Sequence, residues 1–454
     1  MVQPKYIREK QWVRYNNPHF LKKDKDKVIV LYNYIERRKS FFLRSFFKRN
    51  GFQYEDLGDY ILEDVRWGKE YGNRMECNPM YFTGGSLIRN LFRIEKETGL
   101  TKEQIVEKYV FVGGGGQCGP CRYGMYPQEY WKALDDAGFK NFRLIIFTTG
   151  FTRDPVHKNS ALKINLPFRI GMLHSSILAD LFHAAECAIR PYAVDKESAL
   201  NVISEAEILV NNAFSQKFYF FFKLPKALKE AGKMIASIPR KDIKLPKILV
   251  TGEIFANLAH NEGNYNIRRF IMDEECEALP GFLTQRIMYD MWRMIKNYDR
   301  FVKYPENNKD RIKYFFIRIQ IKFRKMFIEY FWNNFIKYFN PSIFGAQMKF
   351  VDLDMFGELG KPYYDPEIFG GEGNLEIAEA LYYADKVDGF ISSKPFVCMP
   401  SSGVSDGVMA KVMHEKPELN FLSIETSGDN EVSILSRVSM LLFKAKEKFD
   451  RKNS

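Results

Sequence analysis

Cys118 and Cys121 are separated by two residues in the run Gly113 to Tyr126, GGGGQCGPCRYGMY. A cysteine pair at this spacing can hold a metal or an iron–sulfur cluster, or form a redox disulfide. The glycines around it let the backbone adopt positive φ and approach a bound group closely, so Gly116 and Gly119 are candidate contacts to a cofactor. Upstream, Tyr109-Val110-Phe111-Val112 has the composition of a buried strand. Downstream, Pro127-Gln128-Glu129 carries proline in what reads as the first turn of a helix. The pair is therefore expected on a loop that leaves a strand and enters a helix.

Two further cysteines sit in loop-like surroundings, Cys77 in ECNP and Cys398 in VCMPSS. Each is expected near a strand end. If two halves of the chain face one cleft, four thiolates can converge there, with Gly-rich backbone donating N–H bonds to cluster sulfides. Cys187 (HAAECAIR) and Cys276 (DEECEAL) are expected on helices as buried apolar residues. A four-thiolate zinc site usually has two close pairs, and only one pair is close here, which favours an assembled cluster. Cys-Gly-Pro-Cys also matches thioredoxin-type dithiols, but here a glycine run precedes it and Pro127 puts the helix start later. The glycines match neither the dinucleotide fingerprint nor the P-loop. The six histidines show no HExxH or close-pair spacing.

A chain of 454 residues is long for one core, so two or three domains are expected. The net charge of +12 permits an anionic partner: nucleic acid, an anionic membrane surface, an acidic protein or a small anionic substrate. Nucleic acid is not expected. No stretch reaches the ~18 apolar residues of a membrane span. The opening residues MVQPKYIREKQWVRYNN lack the apolar centre of a secretory leader. A cytoplasmic location follows by default, and there cysteines in special contexts are more often metal ligands or catalysts than disulfides.

The elements that must position these residues come in two α/β sets. Residues 1–25 are expected to form an N-terminal arm. A first lobe, 26–158, holds strands at Val28–Tyr32, 109–112 and Leu144–Phe147, with helices from Arg37 to Asn50, from about Leu87 to Glu97, and after the cysteine loop. A helical connecting region covers 159–240. A second lobe, 241–454, starts at the strand Lys247–Gly252 and ends its first turn at Glu253. It is interrupted by a basic, aromatic helical insertion at about 283–339 and resumes at Phe350-Val351-Asp352-Leu353. Further strands are expected at Gly389–Ile391 and Phe421–Ile424, with helices between and after them. Strand–helix alternation of this kind argues for parallel sheets covered by helices. The expected fold is α/β, two Rossmann-like lobes around a cleft.

ECNPMYFTGG, CGPCRYGMYPQEYWKALDDAGF, KILVTGE, GGEGN and PFVCMPSSGVSDGV together resemble the 2-hydroxyacyl-CoA dehydratase and benzoyl-CoA reductase superfamily. The similarity is to the dehydratase-like module of acyl-CoA dehydratase activase-related proteins and runs from about residue 24 to 450. It implies an oxygen-sensitive [4Fe-4S] protein with cluster ligands at Cys77, Cys118, Cys121 and Cys398. It also implies transfer of single low-potential electrons for radical dehydration or reduction of an acyl-CoA thioester. The ATP-hydrolysing activator would be a separate protein, since no ATPase module is recognisable here, and a homo- or hetero-dimer is expected. Glu253, Ser401 and Ser402 lie on loops of the same kind and are candidate catalytic contacts in the cleft. The alternatives are a non-catalytic iron–sulfur subunit or scaffold that docks on a partner enzyme, with the basic insertion as its docking surface, and a CGPC dithiol oxidoreductase.

Overall fold

The computed structural model describes residues 19–33, 35–115, 121–147, 160–162, 165–259, 261–344, 348, 350–365 and 371–453. Cys118, Gly116 and Gly119 lie outside the described residues, as does most of the N-terminal arm.

Two four-stranded parallel sheets organise the molecule. The first contains β1 (Ile29–Tyr32), β2 (Gln53–Asp56), β3 (Tyr109–Gly114) and β4 (Arg143–Phe147), in the order β2-β1-β3-β4. The second contains β5 (Lys247–Gly252), β6 (Glu277–Leu279), β7 (Gly389–Pro395) and β8 (Phe421–Thr426), in the order β6-β5-β7-β8. The two orders are equivalent, so each lobe reverses strand order at one place: between β1 and β3, and between β5 and β7. Helices cover both faces of each sheet, so the central strands are buried along most of their length. Tyr109 to Gly113 and all of β7 are buried.

The helix Arg37–Arg49 follows β1 and buries Phe42, Phe46 and Phe47 completely or nearly so. Each of these rings contributes about 1.5–3 kcal/mol by leaving water. They meet the helices Leu166–Ile189 and Lys196–Phe214, which join the helix Lys223–Ala236 in one core with the first sheet. The described part of the connecting region, from Leu166 to Ala236, is therefore largely helical and packs as part of the first lobe's core. The end of the N-terminal segment joins it too: Phe20 is buried against Phe52. The insertion folds as two helices, Leu283–Lys303 and Asn308–Phe339.

Four local expectations need correction. The helix expected from Leu87 starts at Asn78 and runs to Thr98, taking Gly84 and Gly85 into its interior. Gly85 is needed because the helix Leu62–Tyr71 crosses there, and a Cβ would collide with the Asp64 carbonyl. Cys77 is thus the N-cap of a helix that follows another helix, and is not at a strand end. Residues 350–352 form no strand; Asp352 accepts from Asp354 N and Met355 N and caps the helix Leu353–Gly360. Cys276 is not helical: the preceding helix ends at Asp273, Glu275 takes φ +58°, and β6 begins at Glu277.

Candidate functional site

Open parallel sheets bind ligands outside the carboxyl ends of their strands, where strand order reverses. At those ends the first lobe presents Gly115 after β3, and the second presents Glu253 after β5 and Cys398 after β7. The lobes meet close by. Asn78 N donates to Phe396 O at 3.4 Å. Tyr60 and Phe82 of the first lobe pack on Phe255 of the second, with ring centroids 5.0 and 5.6 Å apart. That apolar contact holds the N-terminus of the helix Asn78–Thr98 against the turn that carries Cys398.

Cys77 is buried, with Sγ 3.0 Å from the Tyr126 hydroxyl. Burial pushes the thiol up to about 11; the Glu253 and Glu76 charges add to this, while Tyr126 and the Met80 N–H offset part of it. Burial and the neighbouring thiol also raise Tyr126 well above the usual phenol range, so it remains a donor. Cys121 is half-buried at the entry of the turn Arg122–Met125. Arg122 Nη1 donates to Met75 O, tying the cysteine loop to the backbone just before Cys77.

Cys398 is buried in a tight turn closed by Cys398 N to Pro395 O at 3.1 Å. The turn holds Val397 at φ +63°, a strained conformation for a β-branched residue. It leads into a single π turn, Ser401–Ser405, a feature common at functional sites. Burial pushes the Cys398 thiol up to about 12, Glu253 and Cys77 add repulsion, and the Ser401 N–H partly offsets them. The bond from Asn78 N to Phe396 O sets the residue after Cys77 against the residue two before Cys398, so the two thiols lie on facing turns of the two lobes. Asn78 Nδ2, one residue after Cys77, and Ser401 Oγ and Ser402 Oγ, three and four residues after Cys398, are buried with no hydrogen-bond partner among the described residues.

Glu253 acts on both thiols and on Tyr126. Its Oε2 accepts from Phe255 N at 2.9 Å and Ala256 N at 3.1 Å, capping the helix Ile254–Leu258. Desolvation raises its carboxyl, against those bonds and the charge of Arg286. Gly252 makes the position reachable: it has φ +114°, and a Cβ there would collide with the Ser393 carbonyl. Ser402 N donates to the Cys398 carbonyl at 3.0 Å, and Ser401 precedes it in the same turn. Ser401 and Ser402 thus line the same turn.

The sequence reading passed over a buried ionic group in the second lobe. Lys394 on β7 is completely buried, 3.4 Å from Glu376 and paired with Asp406. Ser392 donates to the same Glu376. The signal was a lysine inside the otherwise uncharged run Phe390–Phe396. Arg286, paired with Glu372 and 3.2 Å from Asp290, was also passed over.

The donor chemistry suits an iron–sulfur cluster. Two buried cysteines lie on facing turns, one at the N-terminus of a 21-residue helix, with unpaired buried polar atoms near them. A bound cation would favour the thiolate that burial disfavours. Among the described residues, no three His, Cys, Asp or Glu side chains come together closely enough to hold a metal ion, so Cys121 is not gathered with Cys77 and Cys398, and Cys118 lies outside the described residues. Cys187 and Cys276 lie elsewhere. Cys187 Sγ is 3.9 Å from His183 Nε2, Cys276 Sγ faces Glu274 O at 3.7 Å, and burial pushes these thiols up to about 12 and about 11.

No family model matches the chain, and no curated protein matches it.

Proposed function

We propose that this protein is a [4Fe-4S] protein that transfers single low-potential electrons to an acyl-CoA thioester, for radical dehydration or reduction, with a separate ATP-hydrolysing activator as electron donor. The observation that carries the reading is the approach of the Cys77 helix start, in one lobe, to the Cys398 turn, in the other, closed by Asn78 N to Phe396 O. The motif resemblance set out above adds the substrate class and the activator.

In this reading Cys77, Cys118, Cys121 and Cys398 hold the cluster. When bound, it supplies one electron at a time at low potential. The chain's own residues do the rest. Tyr126 donates to the Cys77 sulfur and so steadies its thiolate. The first-turn N–H groups after Cys77 and the Ser401 N–H place partial positive charge at the two thiols. The inter-lobe ring contacts of Tyr60, Phe82 and Phe255 exclude water from one side of the site. Glu253 holds its carboxylate beside the sulfurs, where desolvation suits it to accept or return a proton.

Anaerobic purification and reconstitution, with iron and sulfide assays, is the direct test. Brown protein with roughly four iron and four sulfide per chain is expected. An acyl-CoA screen with an activator and a one-electron reductant then tests the reaction. Colourless zinc-loaded protein, or a stable CGPC disulfide without metal after reconstitution, would sink the reading.

A further inference from the structure

The helix Asn308–Phe339 is apolar on two opposite sides. Ile321, Ile328, Trp332, Phe335 and Phe339 point into the protein and are buried. Ile312, Phe316, Phe323, Met326, Phe327 and Tyr330 are 40–65% exposed. At about 100° per residue, these six fall within about 60° of a common direction, opposite the packed side. They form one continuous stripe about 27 Å long. Lys313 and Arg324 project along one flank of the stripe, Arg311 and Lys322 along the other. Residues 311–339 hold seven basic side chains and one acidic, Glu329.

A second element continues the stripe. In the segment between the helices Lys196–Phe214 and Lys223–Ala236, Phe218, Phe221 and Phe222 are 67–83% exposed, with Lys217 and Lys223 beside them. Phe220 bridges the two patches: its ring is 5.8 Å from Phe221 and 5.2 Å from Phe331, which in turn is 4.5 Å from Phe327. The exposed apolar surface is thus shared by a helix and an adjoining loop, both bordered by lysine.

We propose that this face seats the protein on an anionic lipid surface, with the helix lying in the plane of the interface. A groove for a single helix would cover the stripe and leave the phenylalanine loop exposed, whereas a flat bilayer takes up both. The apolar side chains enter the boundary between headgroups and acyl chains, and the flanking Lys and Arg reach back to lipid phosphates on both sides. Among the described residues no helix is long and apolar enough to cross a membrane, and the seven basic residues of 311–339 suit the interface rather than its interior. This inference stands apart from the cluster chemistry and does not depend on it.

Vesicle flotation of the full chain tests it, using phosphatidylcholine alone and phosphatidylcholine mixed with phosphatidylglycerol, each at low and high salt. The chain is expected to float with the anionic vesicles at low salt and to be released by high salt. Phe316→Ser with Phe323→Ser, and separately Lys313→Glu with Lys322→Glu, should each lower the bound fraction by roughly tenfold or more, since each basic residue near an anionic surface is worth about fivefold in binding. All four positions are exposed, so thermal unfolding should be unchanged. Lys361→Glu with Lys444→Glu, exposed positions on other elements, should float like the parent. Failure to float at low salt, equal binding to phosphatidylcholine alone, or an equal loss in the control pair would overturn the proposal. A dimer that Phe316→Ser with Phe323→Ser dissociates, without flotation of the parent chain, would instead assign the face to a second copy.

Discussion

Replacing His174 by phenylalanine should remove a large part of the protein's loss of stability in acid. His174 lies on the helix Leu166–Ile189 with no exposed surface, ringed by Phe331, Phe335 and Phe220 at 4.4–5.5 Å. Nδ1 pairs with the Tyr219 hydroxyl at 2.7 Å, and Nε2 has no partner among the described residues. An imidazolium there would bury an unpaired N–H near the Arg49 charge. Burial, then Arg49, accordingly pushes the ring down to about 3. The unfolded chain binds the proton at about 6.5. Stability from this group is therefore complete above pH 6.5 and is lost as pH falls from there toward 3. At about 1.4 kcal/mol per pH unit, the loss between pH 7 and pH 4 is about 3 kcal/mol. His174→Phe costs packing at every pH through its larger ring and the orphaned Tyr219 hydroxyl, but it lacks this slope. Urea unfolding of both proteins at pH 7, 6, 5 and 4 reads the difference directly. Other titrating groups cancel in the comparison, including Asp180, whose carboxyl burial raises to about 7. Parallel curves over this range would refute the reasoning and mean that His174 takes up its proton in the folded state.

Cys187→Ala and Cys276→Ala should keep full iron content in the reconstitution assay and cost on the order of 1 kcal/mol in urea unfolding. Iron loss in either would move the cluster away from the inter-lobe site. Lys394→Met should cost about 3–5 kcal/mol, because it strands Glu376 as an unpaired buried carboxylate. A loss of about 0–1 kcal/mol, typical of an exposed pair, would mean that Glu376 is protonated already. Gly252→Ala should destabilise by several kcal/mol and release the Glu253 cap, since a Cβ has no room beside the Ser393 carbonyl. Wild-type-like urea unfolding would show that β5 and β7 can part there without cost.

Much of the fold was legible because a parallel sheet buried on both faces writes itself as apolar runs. Val110–Val112 and Ile248–Val250 were plain for that reason. The edge strands β2 and β6 were not: Gln53–Asp56 is largely polar, Glu277–Leu279 has three residues, and neither carries a run. The glycines at 84 and 85 read as a break before a helix, yet they are there because two helices cross closely, a tertiary demand that local propensity does not record. The cysteines stood out by residue type and by their glycine and proline neighbours. What made Cys77 and Cys398 neighbours could not be read from the chain: the packing of Phe255 between Tyr60 and Phe82 joins parts of the chain far apart in sequence. Tyr126 and Lys394 were hidden similarly. A tyrosine in an aromatic-rich motif and a lysine in a strand acquire meaning only from the thiol and carboxylates that face them.

The account rests on a site shared between lobes, and Cys398 tests it most directly, lying 277 residues from Cys121 and on the other sheet. The measurement is iron and sulfide content with the visible and electron paramagnetic resonance spectra of Cys398→Ala and Cys398→Ser, reconstituted anaerobically beside the parent chain and Cys187→Ala. The two variants are expected to unfold like the parent while losing most of the bound iron or changing the cluster spectrum, as Cys77→Ala, Cys118→Ala and Cys121→Ala should. Parental iron content with an unchanged spectrum in both Cys398 variants would contradict the account and confine any cluster to the first lobe.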